Sequence, residues 1–192
     1  DDGTQSRFEY DDCGNLAYKE DVVSQNGGSA SEEINYTYNG FNQLIRVVNP
    51  DGGVYEYTYD SEGLRNGKAN AESATRFVCE NGNVVLETDG TGMVTAKNVW
   101  SGTRLLERDT NDQTYSYRFN GHGDITALTD EHGYVLEDYA YDPYGNELTD
   151  DTEVDASYNW QASQVTYYDN PFRYCGEFYD EETGFYYLRA RY

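Results

Sequence analysis

Basic residues are scarce in this chain. Its 192 residues carry 36 Asp and Glu against 13 Lys and Arg, a formal net charge of −23. A surface of that sign repels phosphate backbones and anionic headgroups, so neither nucleic acid nor an acidic membrane is an expected partner. No apolar run approaches the roughly 18 residues needed to span a bilayer, so no membrane insertion is expected. Cysteine is sparse and odd in number. Cys13, Cys79 and Cys175 lie far apart and match no metal-binding spacing, and three thiols do not close a disulfide framework. They read as isolated thiols, a use in which Cys behaves as a small hydrophobe, and they leave the compartment open. No leader peptide opens the chain, and a start at Asp1 rather than Met reads as a segment of something larger.

Aromatics are plentiful. Tyr alone occurs 21 times, which separates the chain from disordered sequences of similar polarity. A core built on Tyr must give its hydroxyls partners or water.

A short pattern recurs: Asp or Asn, two variable residues, then Gly. It appears at Asp11/Gly14 (FEYDDCGNL), Asp60/Gly63 (YTYDSEGLR), Asn120/Gly123 (FNGHGDI), Asp130/Gly133 (TDEHGYV) and Asp142/Gly145 (YAYDPYGNEL). Asn49/Gly52 and Asp89/Gly92 repeat it, and Asn39 is followed at the same offset by Asn42. Asn and Gly are the residues that tolerate a left-handed backbone, so the fourth position calls for positive φ. A type I turn takes Asp or Asn first, Pro second and Gly fourth. Asp142-Pro143-Tyr144-Gly145 meets each demand, with the carboxylate bonding the amide two residues on. A left-handed residue after such a turn closes a hairpin with a Gly bulge.

These turns fall about ten residues apart, or about twenty or thirty where a degenerate turn intervenes. Asn66-Gly67, Trp100-Ser101-Gly102 and Asp109 to Asp112 are expected to fill the gaps. That spacing indicates short strands in an all-β protein, one hairpin per period of about twenty. Between turns the residues alternate as strands do, with Tyr55, Tyr57 and Tyr59 on one face and Tyr115, Tyr117 and Phe119 on another. The expected fold is an antiparallel β-hairpin meander with a Tyr-rich face, curved or coiled into a strip.

Two stretches are more specific. Tyr115 to Asn146 reads YSYRFNGHGDITALTDEHGYVLEDYAYDPYGN, and Asn170 to Tyr192 reads NPFRYCGEFYDEETGFYYLRARY. Both resemble the RHS (rearrangement hotspot) or YD-repeat family, in particular the RHS-repeat-associated core at the C-terminal end of the repeat array. Residues 8 to 107 resemble it only as degenerate repeats. The resemblance implies hairpin repeats over 1–146, an acidic loop or insertion over 147–169, and the core's C-terminal motif over 170–192, in one domain. It also implies a secreted or cell-surface bacterial parent. There the ribbon spirals into a hollow shell around a toxic or variable C-terminal polypeptide. The expected partners are then the rest of that parent and its C-terminal cargo. The family continues past this point into a Tyr-Asp-Pro run and an aspartyl self-cleavage segment. Neither is in this sequence, so neither self-cleavage nor toxin activity carries over. About nine hairpins are also too few to enclose a cavity, which leaves a piece of wall.

Candidate chemistry is thin. His122 and His132 each precede a turn Gly, with no Ser or Cys beside them in sequence to act as a nucleophile. The acidic runs Glu147 to Asp155 and Asp180-Glu181-Glu182 lack the ligand spacing of a calcium loop. No carboxylate pair stands out for glycoside hydrolysis. Arg189 and Arg191 would share a face of a final strand with Phe185 and Tyr187, pairing with Glu177 or Asp180 or stacking on Tyr187. No catalytic, cofactor or metal residue is therefore expected. The residues singled out are the turn formers Asp11, Gly14, Asn39, Asn42, Asp60, Gly63, Asn120, Gly123, Asp130, Gly133, Asp142, Pro143 and Gly145. Two functions compete: a structural wall without enzyme activity, and a carbohydrate-binding adhesion module that uses exposed tyrosines.

Overall fold

The computed structural model describes residues 5–25, 28–148 and 168–189. Most of the acidic stretch over 147–169 lies outside them, as does Arg191. No helix among the described residues is long and apolar enough to cross a membrane. The chain is all-β, an antiparallel meander in two compact units, Asp1–Thr95 with Asp180–Tyr192, and Ala96–Tyr179.

In the first unit, β1 (Gln5–Tyr10), β2 (Leu16–Gln25), β3 (Gly28–Tyr38), β4 (Leu44–Val48), β5 (Val54–Tyr59), β6 (Arg65–Ala69), β7 (Ala74–Glu80) and β8 (Asn83–Asp89) each pair with their chain neighbours. The second, from Ala96 on, holds the rest of β9 (Val94–Ser101), then β10 (Arg104–Thr110), β11 (Thr114–Phe119), β12 (Ile125–Thr129) and β13 (Val135–Asp138), paired in the same way. A 3₁₀ turn at Tyr174–Gly176 precedes β14 (Phe178–Asp180) and β15 (Phe185–Tyr187), which form a two-stranded sheet.

The turns set the register. At Asp11, Asn39, Asp60 and Asn120 the first residue's carbonyl accepts from the fourth residue's amide at 3.0 to 3.3 Å. The fourth residue is left-handed, with φ of 84° at Gly14, 59° at Asn42, 85° at Gly63 and 103° at Gly123. The extra residue shifts the ladder, so Tyr10 pairs with Leu16, Tyr38 with Leu44, Tyr59 with Arg65 and Phe119 with Ile125. This is the bulge that a left-handed residue places after a type I turn. It delivers the second residue past the Gly to the face that the aromatic occupies. Leu44 and Ile125 are fully buried there. In the first unit Tyr36, Leu44, Val47 and Tyr57 form the core, with Tyr38, Tyr55, Tyr59 and Phe185 packed against it.

Three expected features differ. Asn66-Gly67 is not a turn but lies within β6, and the chain turns at Asn70 to Ser73. Gly67 serves close approach instead, since a Cβ there would stand 2.6 Å from Thr58 Oγ1. The turn placed at Asp109 to Asp112 falls one residue later, closed by Thr110 and Gln113. The last strand stops at Tyr187, and Arg189 has φ of 64°, so strand alternation does not extend to it.

Candidate functional site

The second residue past each turn's fourth position is apolar at Leu16, Leu44, Val94, Ile125 and Val135, buried or half-buried at the first four and exposed at Val135. Two turns break the pattern with a charge, Arg65 after Gly63 and Glu147 after Gly145. Each finds its counter-charge in the C-terminal segment of its own unit.

Arg65 is 2% exposed and pairs with Asp180, which is fully buried. Its guanidinium lies over the Tyr187 ring at 4.3 Å, and its backbone amide donates to the Tyr187 hydroxyl at 2.8 Å. Lys68, three residues along β6 and brought to the same side by the register shift opposite Thr58 and Tyr59, reaches Asp180 at 3.4 Å and Glu182 at 3.0 Å. The Tyr57 hydroxyl donates to Glu182 at 2.6 Å. Two cations thus meet two anions, and a buried ionic group of this kind persists only when balanced and hydrogen-bonded. Burial, and then the Glu182 carboxylate, push the Tyr57 hydroxyl far above the ordinary tyrosine range. The turn itself is closed by Asp180, whose carbonyl accepts from the Thr183 and Gly184 amides at 3.0 and 2.9 Å. Asp180 and Tyr187 thus engage Arg65 and Lys68 of β6, partners that strand alternation around Arg189 did not suggest.

In the second unit Asn170 has the corresponding role. Its Oδ1 accepts from the Tyr117 hydroxyl at 2.8 Å and the Phe172 amide at 3.1 Å; its Nδ2 donates to the Tyr139 hydroxyl at 3.1 Å and the Phe172 carbonyl at 2.9 Å. All four positions of the amide are filled. Phe172 then packs edge-on against Trp100, Tyr117 and Phe178. Arg108, 1% exposed, donates to the Asp169 carbonyl at 3.0 Å and to Asn98 Oδ1 at 3.1 Å. Arg173 lies over the Tyr139 ring at 4.6 Å and meets Glu147 at 3.5 Å.

The third cluster escaped the sequence reading. His122 has no cysteine beside it in sequence, yet Cys175 Sγ stands 3.9 Å from its Nδ1. The same nitrogen is 2.9 Å from Asp124 Oδ1, which also accepts from the Cys175 amide at 3.0 Å. Burial opposes ionisation of Asp124, but hydrogen bonds from Asn120, His122 and the Cys175 amide outweigh it and hold the carboxyl below its usual value. The Cys175 thiol is pushed up, by burial first and then by Asp124. A nucleophilic cysteine needs the reverse shift and a base whose second nitrogen faces the acid. Here one imidazole nitrogen serves both neighbours, so the trio is not arranged as a catalytic triad.

The turn formers are spread along the hairpin ends. Asp142 Oδ1 accepts from the Tyr144 and Asn146 amides at 2.8 and 3.0 Å, two bonds where the turn pattern indicates one. Asp11, Asp60, Asn39, Asn120 and Asp130 bond the same two amides. Gly133 and Gly145 have φ of 85° and 88°. Asn15 Nδ2 donates to Asn42 Oδ1 at 3.1 Å, and Gln43 Nε2 to the Gly63 carbonyl at 3.4 Å, so alternate turns touch along one edge of the sheet. Tyr144 and Tyr134 are exposed, but at single turns rather than on a shared platform.

The family model described as RHS Repeat matches residues 38–75, the stretch that contains β4 to β6. The tRNA3(Ser)-specific nuclease WapA of Bacillus spizizenii is 32% identical over the whole of this chain, which spans 9% of that protein. The tRNA nuclease WapA of Bacillus subtilis (strain 168) is 33% identical over 88% of the chain and 7% of its own length. Among solved structures, TcdB2-TccC3 aligns over 98% of this chain and 12% of its own, with TM-score 0.52 and 17% identity. TcdB2-TccC3 without its hypervariable C-terminal region aligns over 95% of this chain and 11% of its own, with TM-score 0.51 and 18% identity.

Proposed function

The chain belongs to the RHS-repeat family, and from that premise we propose that it is a wall segment of a larger secreted or cell-surface bacterial protein. Its hairpins build scaffold, its C-terminal motif locks onto that scaffold, and the parent uses the wall to enclose or display a polypeptide carried downstream. The observation that carries this reading is the use made of the charged side chains. Arg65, Lys68, Asp180 and Glu182 neutralise one another in the act of docking the C-terminal segment. The relatives' names assign them tRNA cleavage, and we place that activity outside the stretch they share with this chain. A net charge of −23 opposes tRNA approach. Among the described residues, exposed Tyr134 and Tyr144 stand at separate turns and exposed Tyr10 at the end of β1, which does not favour a glycan platform.

Two assays test the proposal. The 192-residue chain should leave tRNA intact under conditions in which a matched WapA protein cleaves it. In the intact parent, the polypeptide downstream of this segment should resist protease, and Asp180→Asn should expose it. Cleavage of tRNA by this chain, or equal protease sensitivity with and without Asp180→Asn, would overturn it.

A further inference from the structure

We propose that His122, Asp124 and Cys175 form a site for one divalent metal ion of the zinc class, fastening the β11–β12 turn to the C-terminal segment. One nitrogen, one oxygen and one sulfur donor all lie within 4.8 Å of one another. Around a tetrahedral zinc, with bonds of about 2.0 to 2.3 Å, neighbouring donors stand roughly 3.3 to 3.7 Å apart. The Sγ to Nδ1 distance of 3.9 Å is already close to that, and the Nδ1 to Oδ1 distance of 2.9 Å has to open by only a few tenths of an ångström. The ion takes the place of the proton that bridges His122 and Asp124.

The donors choose the ion. Thiolate and imidazole suit zinc, whereas calcium and magnesium take oxygen ligands. Supporting bonds hold the donors in place. Asn120 Nδ2 donates to Asp124 Oδ2 at 2.7 Å while the Cys175 amide holds Oδ1, the outer-shell arrangement that orients a carboxylate ligand. Cys175 sits at φ of 54°, with its Sγ 3.9 Å from His122 Nδ1. His122 and Cys175 are both exposed, so an ion has an approach and a water can complete its coordination. Binding releases one proton, from the Cys175 thiol, to solvent. The imidazole keeps its own proton by carrying it on Nε2.

The experiment is a titration of the reduced chain with zinc(II) and cobalt(II), in excess magnesium to occupy the diffuse acidic surface. One equivalent of cobalt should bind with a thiolate-to-cobalt charge-transfer band, and zinc should displace it. The band should vanish in Cys175→Ser and His122→Ala and persist in Cys13→Ser and Cys79→Ser. Asn120→Ala should weaken binding by about tenfold. Zinc should raise the melting temperature of the parent chain but not of His122→Ala, a substitution at an exposed turn that circular dichroism should show to be folded. A parent chain without the band, a band that survives Cys175→Ser, or a band lost in Cys13→Ser would overturn the site.

Discussion

A single backbone angle explains most of the turn sequences, and Gly145 shows what it leaves out. Its φ of 88° makes any L-residue there cost about 1 to 2 kcal/mol. Gly123, with φ of 103°, has open space where a Cβ would go, whereas a Cβ on Gly145 would meet Tyr174 Cδ1 at 2.8 Å. Gly145→Ala should therefore destabilise the chain more than Gly123→Ala, and thermal melts of the two variants check the order; equal losses would mean that the Tyr174 ring moves aside freely. Hydroxyls divide in the same way. The Tyr36 hydroxyl is buried with no hydrogen-bond partner among the described residues, whereas that of Tyr117 is held by Asn170. Tyr36→Phe should be neutral or stabilising and Tyr117→Phe should cost about 1 kcal/mol, an order that urea titration can read directly.

Elements add what single residues cannot. The period of ten, the Gly bulge and the alternation of Tyr were all legible, because each depends on residues within one hairpin. Asn66-Gly67 misled because a small residue inside a strand resembles a turn until Thr58 is seen packed over it. Arg65 and Glu147 stand in the sequence as charges at a position past the turn that is otherwise apolar, but their partners lie far along the chain. The Cys175 contact with His122 spans 53 residues and carries no local signal. The Arg65 network makes a sharp prediction. Arg65→Met alone or Asp180→Leu alone strands a buried charge and should cost about 3 to 5 kcal/mol, while the double variant should recover most of the loss. A double-mutant cycle by chemical denaturation measures this coupling, and additive single effects would show that the pair is not energetically linked.

At the scale of the whole molecule, a charge of −23 makes self-repulsion an opponent of folding. The Debye length falls from about 30 Å at 0.01 M salt to about 10 Å at 0.1 M, so the melting temperature should rise with NaCl over that range. Acid brings a second effect of opposite sign. Hydrogen bonds from Asn146, Asn15 and Thr91 side chains, and from turn amides, hold the carboxyls of Asp142, Asp11 and Asp89 below the usual value. A group whose pKa is lowered by folding stabilises the fold above its unfolded value, about 3.9, and loses that contribution as pH falls through the folded value. At low salt the melting temperature should climb from pH 7 toward about 5 as repulsion fades, then drop below about pH 4 as the turns lose their acceptors. A steady fall from pH 7 downward would contradict this.

The most direct test of the docked C-terminal segment is amide hydrogen exchange. The Thr183 and Gly184 amides donate to Asp180, and the Arg65 amide donates to Tyr187. If the segment is an integral part of the wall, these three amides exchange as slowly as the paired amides of β5 and β6. In Asp180→Asn they should speed up together by about a hundredfold or more, the factor that roughly 3 kcal/mol carries. Thr183 and Gly184 exchanging as fast as an open turn, or rates unchanged by Asp180→Asn, would show a segment that rests on the sheet without locking it.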